Sequence, residues 1–111
     1  MEYTVTELEP GVAVVRLEGR LNMVSAGSLR ELVSSAVADG SSRIVVDLSS
    51  VDFIDSSGLG ALISGLKTAR QAGGDLRIAA PNEQVSLVLK LTNMERVLPV
   101  YVSAEAAYTN G

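Results

Sequence analysis

The residues best equipped for chemistry in this 111-residue chain are clustered. Asp47-Leu48-Ser49-Ser50-Val51-Asp52-Phe53-Ile54-Asp55-Ser56-Ser57-Gly58-Leu59-Gly60 brings acids, hydroxyls and glycines together around the single phenylalanine. Two kinds of chemistry suit Asp55, Ser56 and Ser57. At a helix start, Asp and Ser accept hydrogen bonds from amides that lack a partner within the helix, and such a cap stabilises by about 1 kcal/mol. A serine in the first turn also presents its hydroxyl where the helix dipole favours added negative charge, which makes Ser57 a candidate for phosphorylation. Capping and acceptor roles are compatible on neighbouring residues.

Catalytic readings of the same stretch each lack a partner. With no His and no Cys, the chain offers no imidazole base, thiolate nucleophile, disulfide or nitrogen/sulfur zinc site. A serine nucleophile would be left with a lysine as base, and Lys67 and Lys90 fall in predicted helix bodies. Gly60 and Gly65 followed by Lys67 and Thr68 nearly have the spacing of a phosphate-binding loop. The lysine comes one residue late, however, and the segment is an apolar helix interior. Asp47 after a β-rich run resembles the phosphoacceptor aspartate of receiver domains, but the acids expected after the first strand and the lysine expected after the fourth are missing. Asp47, Asp52 and Asp55 supply oxygen donors for a hard cation without a preformed cage, and read as a solvated loop. The expectation is a protein that is not an enzyme and has no cofactor or metal site.

The elements that must position this stretch follow from periodicity. Residues 3–8 and 12–18 alternate as strands, and Glu9-Pro10-Gly11 supplies the turn of a hairpin. On the second strand Ala13, Val15 and Leu17 share one face, and Val12, Val14, Arg16 and Glu18 the other, so one face is covered more completely. From Ser25 the period changes: Ala26, Leu29, Val33, Ala36 and Val37 form a helical stripe that Gly40 ends. Residues 43–48, with Ile44, Val45 and Val46, are apolar on both sides and read as the middle of a sheet. The 49–57 loop then leads into a second helix marked by Leu59, Leu62, Ile63, Leu66 and Ala69, with Lys67 and Arg70 near its end and Gly73-Gly74 after it. Residues 76–80 read as a strand and Asn82 as the cap of a third helix striped by Val85, Val88, Leu89 and Thr92. Residues 98–102 read as a last strand, and Ser103 as the cap of a short terminal helix.

The order ββαβαβαβα predicts an α/β domain over residues 1–111: a mixed, mainly parallel sheet of about five strands, an antiparallel N-terminal edge strand, and helices mainly on one face. The 49–57 loop then lies at the carboxyl edge of the sheet, where open α/β folds place their working groups. Composition narrows the partners. A net charge of −4 gives no field that would draw in nucleic acid or anionic lipid. The longest apolar run is four residues, 12–15, against about 20 for a membrane span. Met1-Glu2-Tyr3-Thr4 lacks the features of a signal peptide, so a cytoplasmic location is expected.

Against this background, Ile54-Asp55-Ser56-Ser57-Gly58-Leu59-Gly60 resembles the signature of the STAS domain family, and most closely its bacterial anti-sigma factor antagonists. Gly19-Arg20-Leu21-Asn22 resembles the family's Gly-x-Leu-Asp after the second strand. Ile44-Val45-Val46-Asp47-Leu48 resembles its central strand, and 85–102 its third helix and last strand. The resemblance implies a protein that binds an anti-sigma factor, a serine/threonine kinase of the histidine-kinase-like ATPase type, and so frees a sigma factor. It implies phosphorylation at Ser57, reversed by a serine phosphatase, and a partner-binding surface of Asn22, Asp55, Ser56, Ser57, Gly58, Leu59 and Gly60. Gly58 and Gly60 are expected to let a partner approach closely, and Asn22, where the family has Asp, to neighbour Ser57. STAS domains also serve as accessory subunits of membrane transport complexes and as scaffold subunits of stress-signalling assemblies, the alternative readings.

Overall fold

Gly11, at φ +84°, closes a hairpin between β1 (Glu2–Glu9) and β2 (Val12–Leu21), a backbone setting that costs glycine little and other residues more. The chain is described by a computed structural model over residues 2–108. The reading of one domain over 1–111 and of the N-terminus at Met1 reaches outside the described residues at position 1 and at positions 109–111. After the hairpin come α1 (Ala26–Ala38), β3 (Arg43–Ile54), α2 (Ser56–Gln71), β4 (Asp75–Ala79), α3 (Glu83–Leu91), β5 (Val100–Tyr101) and α4 (Ala104–Ala107), with a 3₁₀ turn, Met94–Arg96, before β5. The five strands lie in the order β1-β2-β3-β4-β5. β1 is antiparallel to β2, and every other pair is parallel.

The two faces of β2 separate as its alternation predicts. Ala13, Val15 and Leu17 join Ile44, Val46, Leu76 and Ile78 in one core with Leu29 and Val33 of α1, Leu62 and Leu66 of α2, and Val85 and Leu89 of α3. Burial of each large aliphatic side chain there contributes about 1.5–3 kcal/mol. Val12 and Val14 join Val45 and Ala79 in a smaller core on the opposite face, covered by Ala104 and Ala107 of α4 with Tyr101 and Tyr108. Three long helices thus take one face and the short one the other. Among the described residues no helix is long and apolar enough to cross a membrane.

The structure corrects three boundaries. The 49–57 stretch is not a loop: β3 continues to Ile54, and Ser50, Val51, Phe53 and Ile54 pair with Glu18, Gly19, Arg20 and Leu21. Two register shifts, between Arg16 and Glu18 and between Gly19 and Arg20, accommodate the extension. Val51 and Ile54 are buried, and the β2 backbone pairs amides that a polar sequence would otherwise give to water. The last strand is two residues instead of five, because Pro99 has no N–H to donate, although its carbonyl accepts from the Ile78 amide at 2.9 Å. The fourth strand ends at Ala79, since Ala80 turns to φ +53°. The 3₁₀ turn was not anticipated; it begins after Asn93, at φ +59°, and carries the chain to the buried Leu98.

Candidate functional site

The extended β2–β3 pair projects Leu21 and Ile54 side by side to the carboxyl edge, so the chain leaves both strands at the same place. Asp55 turns it there. Its backbone is extended (φ −118°, ψ −174°), its carboxylate accepts from the Gly58 amide at 2.9 Å, and its own amide donates to the Leu21 carbonyl at 3.3 Å. Asp55 is therefore the cap of α2 and also its anchor to β2.

Gly58 completes that anchorage. A Cβ at this position would run into the Leu21 carbonyl oxygen and lie 2.9 Å from Leu21 Cγ and 3.0 Å from Ile54 Cγ1. The space that Gly58 was expected to leave for a partner is filled by the protein's own β2. Leu59, like Gly58, is buried; both hold the helix in place beneath the surface. Gly60 is half-buried, and a Cβ there would meet Arg30 Nη2 at 3.9 Å.

The two serines differ. Ser56 is exposed, whereas Ser57 is half-buried. Neither hydroxyl makes a hydrogen bond among the described residues. Both sit in the first turn, whose leading amides have no intrahelical acceptor and present the positive end of the helix dipole.

Asn22 stands at the same edge but is engaged elsewhere. Its Oδ1 accepts from the amides of Val24 (3.0 Å) and Ser25 (3.3 Å), and its amide donates to Ser25 Oγ at 2.9 Å. The Ser25 hydroxyl in turn donates to the Arg20 carbonyl at 2.7 Å. This turn pushes Met23 and Val24 outward, at 76% and 87% exposure. No hydrogen bond joins Asn22 to Ser56 or Ser57 among the described residues.

Periodicity did not reveal three neighbours of the turn. Arg20 stacks over the Phe53 ring, 4.6 Å from its centroid, a pairing set by the register shifts. Phe53 and Ile54 face Val85, Leu87 and Val88 across a groove of about 220 Å³ at the start of α3, where Asn82 both caps α3 and donates to the Val51 carbonyl. Arg30 of α1 reaches over α2. Its only sequence sign was a cation on the polar side of the α1 stripe.

Of the other two candidate oxygen donors, Asp52 is exposed and Asp47 belongs to the opposite face. Burial would raise its carboxyl, but hydrogen bonds from the Ser49 hydroxyl and amide and from Arg16, with the Arg16 charge, outweigh that and hold it below the usual carboxylate range. Among the described residues, no group of three or more acids converges as a cation site.

Comparison with known proteins agrees with this geometry. The chain is 30% identical over 100 residues to the anti-sigma F factor antagonist of Paenibacillus polymyxa, covering 89% of this chain and 86% of that one. The crystal structure of an anti-sigma factor antagonist from Mycobacterium paratuberculosis matches with a TM-score of 0.82 at 28% identity, over 96% of this chain and 89% of that one. The Bacillus cell fate determinant SpoIIAA in its phosphorylated form shares the fold, with a TM-score of 0.72 at 20% identity over 95% of this chain and 96% of that one. The model of the STAS domain matches residues 3–107, which take in all the elements described above except the first residue of β1, and the chain belongs to that family.

Proposed function

We propose that this protein is an anti-sigma factor antagonist: it binds an anti-sigma factor and thereby frees a sigma factor. The observation that carries the reading is the pair of unbonded serine hydroxyls at an Asp55-capped helix start, beside the exposed Met23 and Val24. Relatives named as antagonists over most of their length support it. The partner is a serine/threonine kinase that docks on this edge in the cytoplasm, and a serine phosphatase restores the docking form. The antagonist, as a single domain, is ligand and substrate and not catalyst. The resemblance assigned the acceptor role to Ser57. The greater exposure of Ser56 moves our proposal to Ser56, with Ser57 as the competing outcome.

The switch is electrostatic. Transfer of the γ-phosphoryl group of ATP forms the Oγ–P bond as the bond to ADP breaks and the hydroxyl proton departs. It adds about −1.5 to −2 charges at neutral pH. The free protein accommodates them because the helix dipole offsets about 0.3–1 kcal/mol. A partner acid about 5 Å away at an effective dielectric near 20 would repel each unit of charge by about 3 kcal/mol, a loss of roughly a hundredfold or more in affinity.

The test is intact-mass analysis and site mapping after incubation with the anti-sigma kinase and ATP. One phosphate is expected, mapped to Ser56, absent in Ser56→Ala and retained in Ser57→Ala. The reverse pattern assigns Ser57, and no phosphate on either residue removes the switch. Co-purification tests the wider reading: a kinase-like ATPase is expected, whereas a membrane ATPase would establish a transport subunit and a megadalton particle a scaffold.

A further inference from the structure

Arg30 lies along the stripe of α2 that begins with the proposed acceptor. Its Nε donates to Ser64 Oγ at 3.4 Å, and its Nη2 lies 3.9 Å from where a Cβ of Gly60 would stand. Ser56, Gly60 and Ser64 are spaced by four residues and therefore share one face of the helix. Neighbouring positions on such a face have Cβ atoms about 5–6 Å apart, so Nη2 lies within about 10 Å of the Ser56 Cβ. Arg30 is exposed and forms no ion pair among the described residues, its one bond being a long one to a hydroxyl. Gly60 puts no side chain between the guanidinium and the first turn, and among the described residues Arg30 Nη2 is the one atom outside the helix within 4 Å of where its Cβ would stand.

We propose that Arg30 is the internal receptor of the phosphoryl group on Ser56: on phosphorylation it leaves Ser64 and pairs with the phosphate across Gly60. The Cα–Cβ bond of Ser56 leans toward the helix N-terminus, so the arginine makes the approach: a rotamer change in its long, exposed side chain carries the guanidinium past Gly60 toward the phosphate. A guanidinium forms two-pronged bonds to the phosphate dianion, stronger than the single long bond to a neutral hydroxyl that it gives up. The modified form is then stabilised within the free protein, in addition to being repelled by the partner, so the phosphate weighs on both sides of the binding equilibrium. Other charges near the turn do not take this role. Asp55 and Asp52 are acids on the same edge, and Arg20 is stacked on Phe53.

The inference rests on the proposed acceptor, and its test is separable from that reading because the phosphate is installed without a kinase. Full-length protein is made with phosphoserine incorporated at position 56 during translation, and the phosphate is titrated by phosphorus NMR. The second ionisation of the phosphate is expected about 0.5–1 pH unit lower in the native background than in Arg30→Gln. Arg30→Lys should recover part of the difference, and high salt should shrink it. Equal titration in the native protein and Arg30→Gln overturns the inference, as does a shift found in Arg20→Gln instead. A kinase that leaves this turn unmodified would refute the proposed function without altering this measurement.

Discussion

The two polar regions of this molecule handle their polar atoms in opposite ways. On the face covered by α4, they are paired. Asp47 is held by Arg16 and Ser49. The Tyr108 hydroxyl is shared between the carbonyls of Ile44 (3.0 Å) and Asp75 (2.8 Å). The Arg77 guanidinium lies 4.2 Å from the Tyr108 ring centroid, bonds the Ala107 carbonyl and meets Asp75 at 3.3 Å. At the carboxyl edge, Asp55 caps α2 and Asn22 holds the amides of its own turn, but the two serine hydroxyls make no hydrogen bond among the described residues. Paired groups hold an element down. Hydroxyls left without a partner in a well-capped turn contribute little to the fold and are available to another molecule.

The sharpest break of this contrast is at Gly58, a residue of the signature that the structure places with the fold. In Gly58→Ala the new methyl meets the Leu21 carbonyl, and the helix start must shift. Overpacking of this kind costs about 3 kcal/mol, readable as a lower midpoint in urea unfolding. If Gly58 served only to admit a partner, stability would be unchanged.

Asp47→Asn comes next. Asp47 is 3% exposed, and its loss of charge should cost about 1–2 kcal/mol at pH 7, discounted because Arg16 is itself half in solvent. Its folded ionisation is depressed, so its contribution is present above the unfolded value near 4 and lost as pH falls through the lower folded value. The gap between native protein and variant should therefore close in acid, by denaturation followed from pH 7 to below pH 3. Kinase binding should be unaffected.

Much of this arrangement was legible in the chain itself, for a physical reason: it depends on short-range periodicity. The alternation of 12–18 separates the two cores, the three- and four-residue spacing of Leu29 and Val33 marks the buried side of α1, and Asn82 and Ser103 cap α3 and α4 as their types suggest. What was illegible depends on atoms distant in sequence. Ser49, Ser50 and Asp52 have the composition of a loop, and only the continuation of β2 to Leu21 makes them strand. The purpose of Gly58 depends on a carbonyl 37 positions earlier, and the placing of Arg30 over Gly60 on how α1 packs against α2. Asn22 does stand at the same edge as the start of α2, as read, but that its oxygen is held by the amides of Val24 and Ser25 was not legible.

Tyr108→Phe tests the paired face more gently. Losing one shared hydroxyl should cost about 1 kcal/mol. Burial, and then the charge of Asp75, push the Tyr108 hydroxyl well above its ordinary value, with Arg77 opposing. A raised acid keeps its contribution to stability below the unfolded ionisation near pH 10 and loses it as pH rises further. Thermal melts from pH 8 to 11 should show native protein losing stability more steeply than Tyr108→Phe.

Ser56→Ala should have the smallest effect on the fold and for that reason tests the comparison most directly. Asp55, not Ser56, supplies the cap to Gly58, and the Ser56 hydroxyl bonds nothing among the described residues. Alanine also has the better helix propensity. Stability should stay within about 0.5 kcal/mol of native, while phosphate uptake with the kinase falls to nothing. A loss of 2 kcal/mol or more would mean that this hydroxyl belongs with the paired groups of the opposite face. The turn would then be a structural joint, and the distinction drawn between the two regions would fail where it was expected to be cleanest.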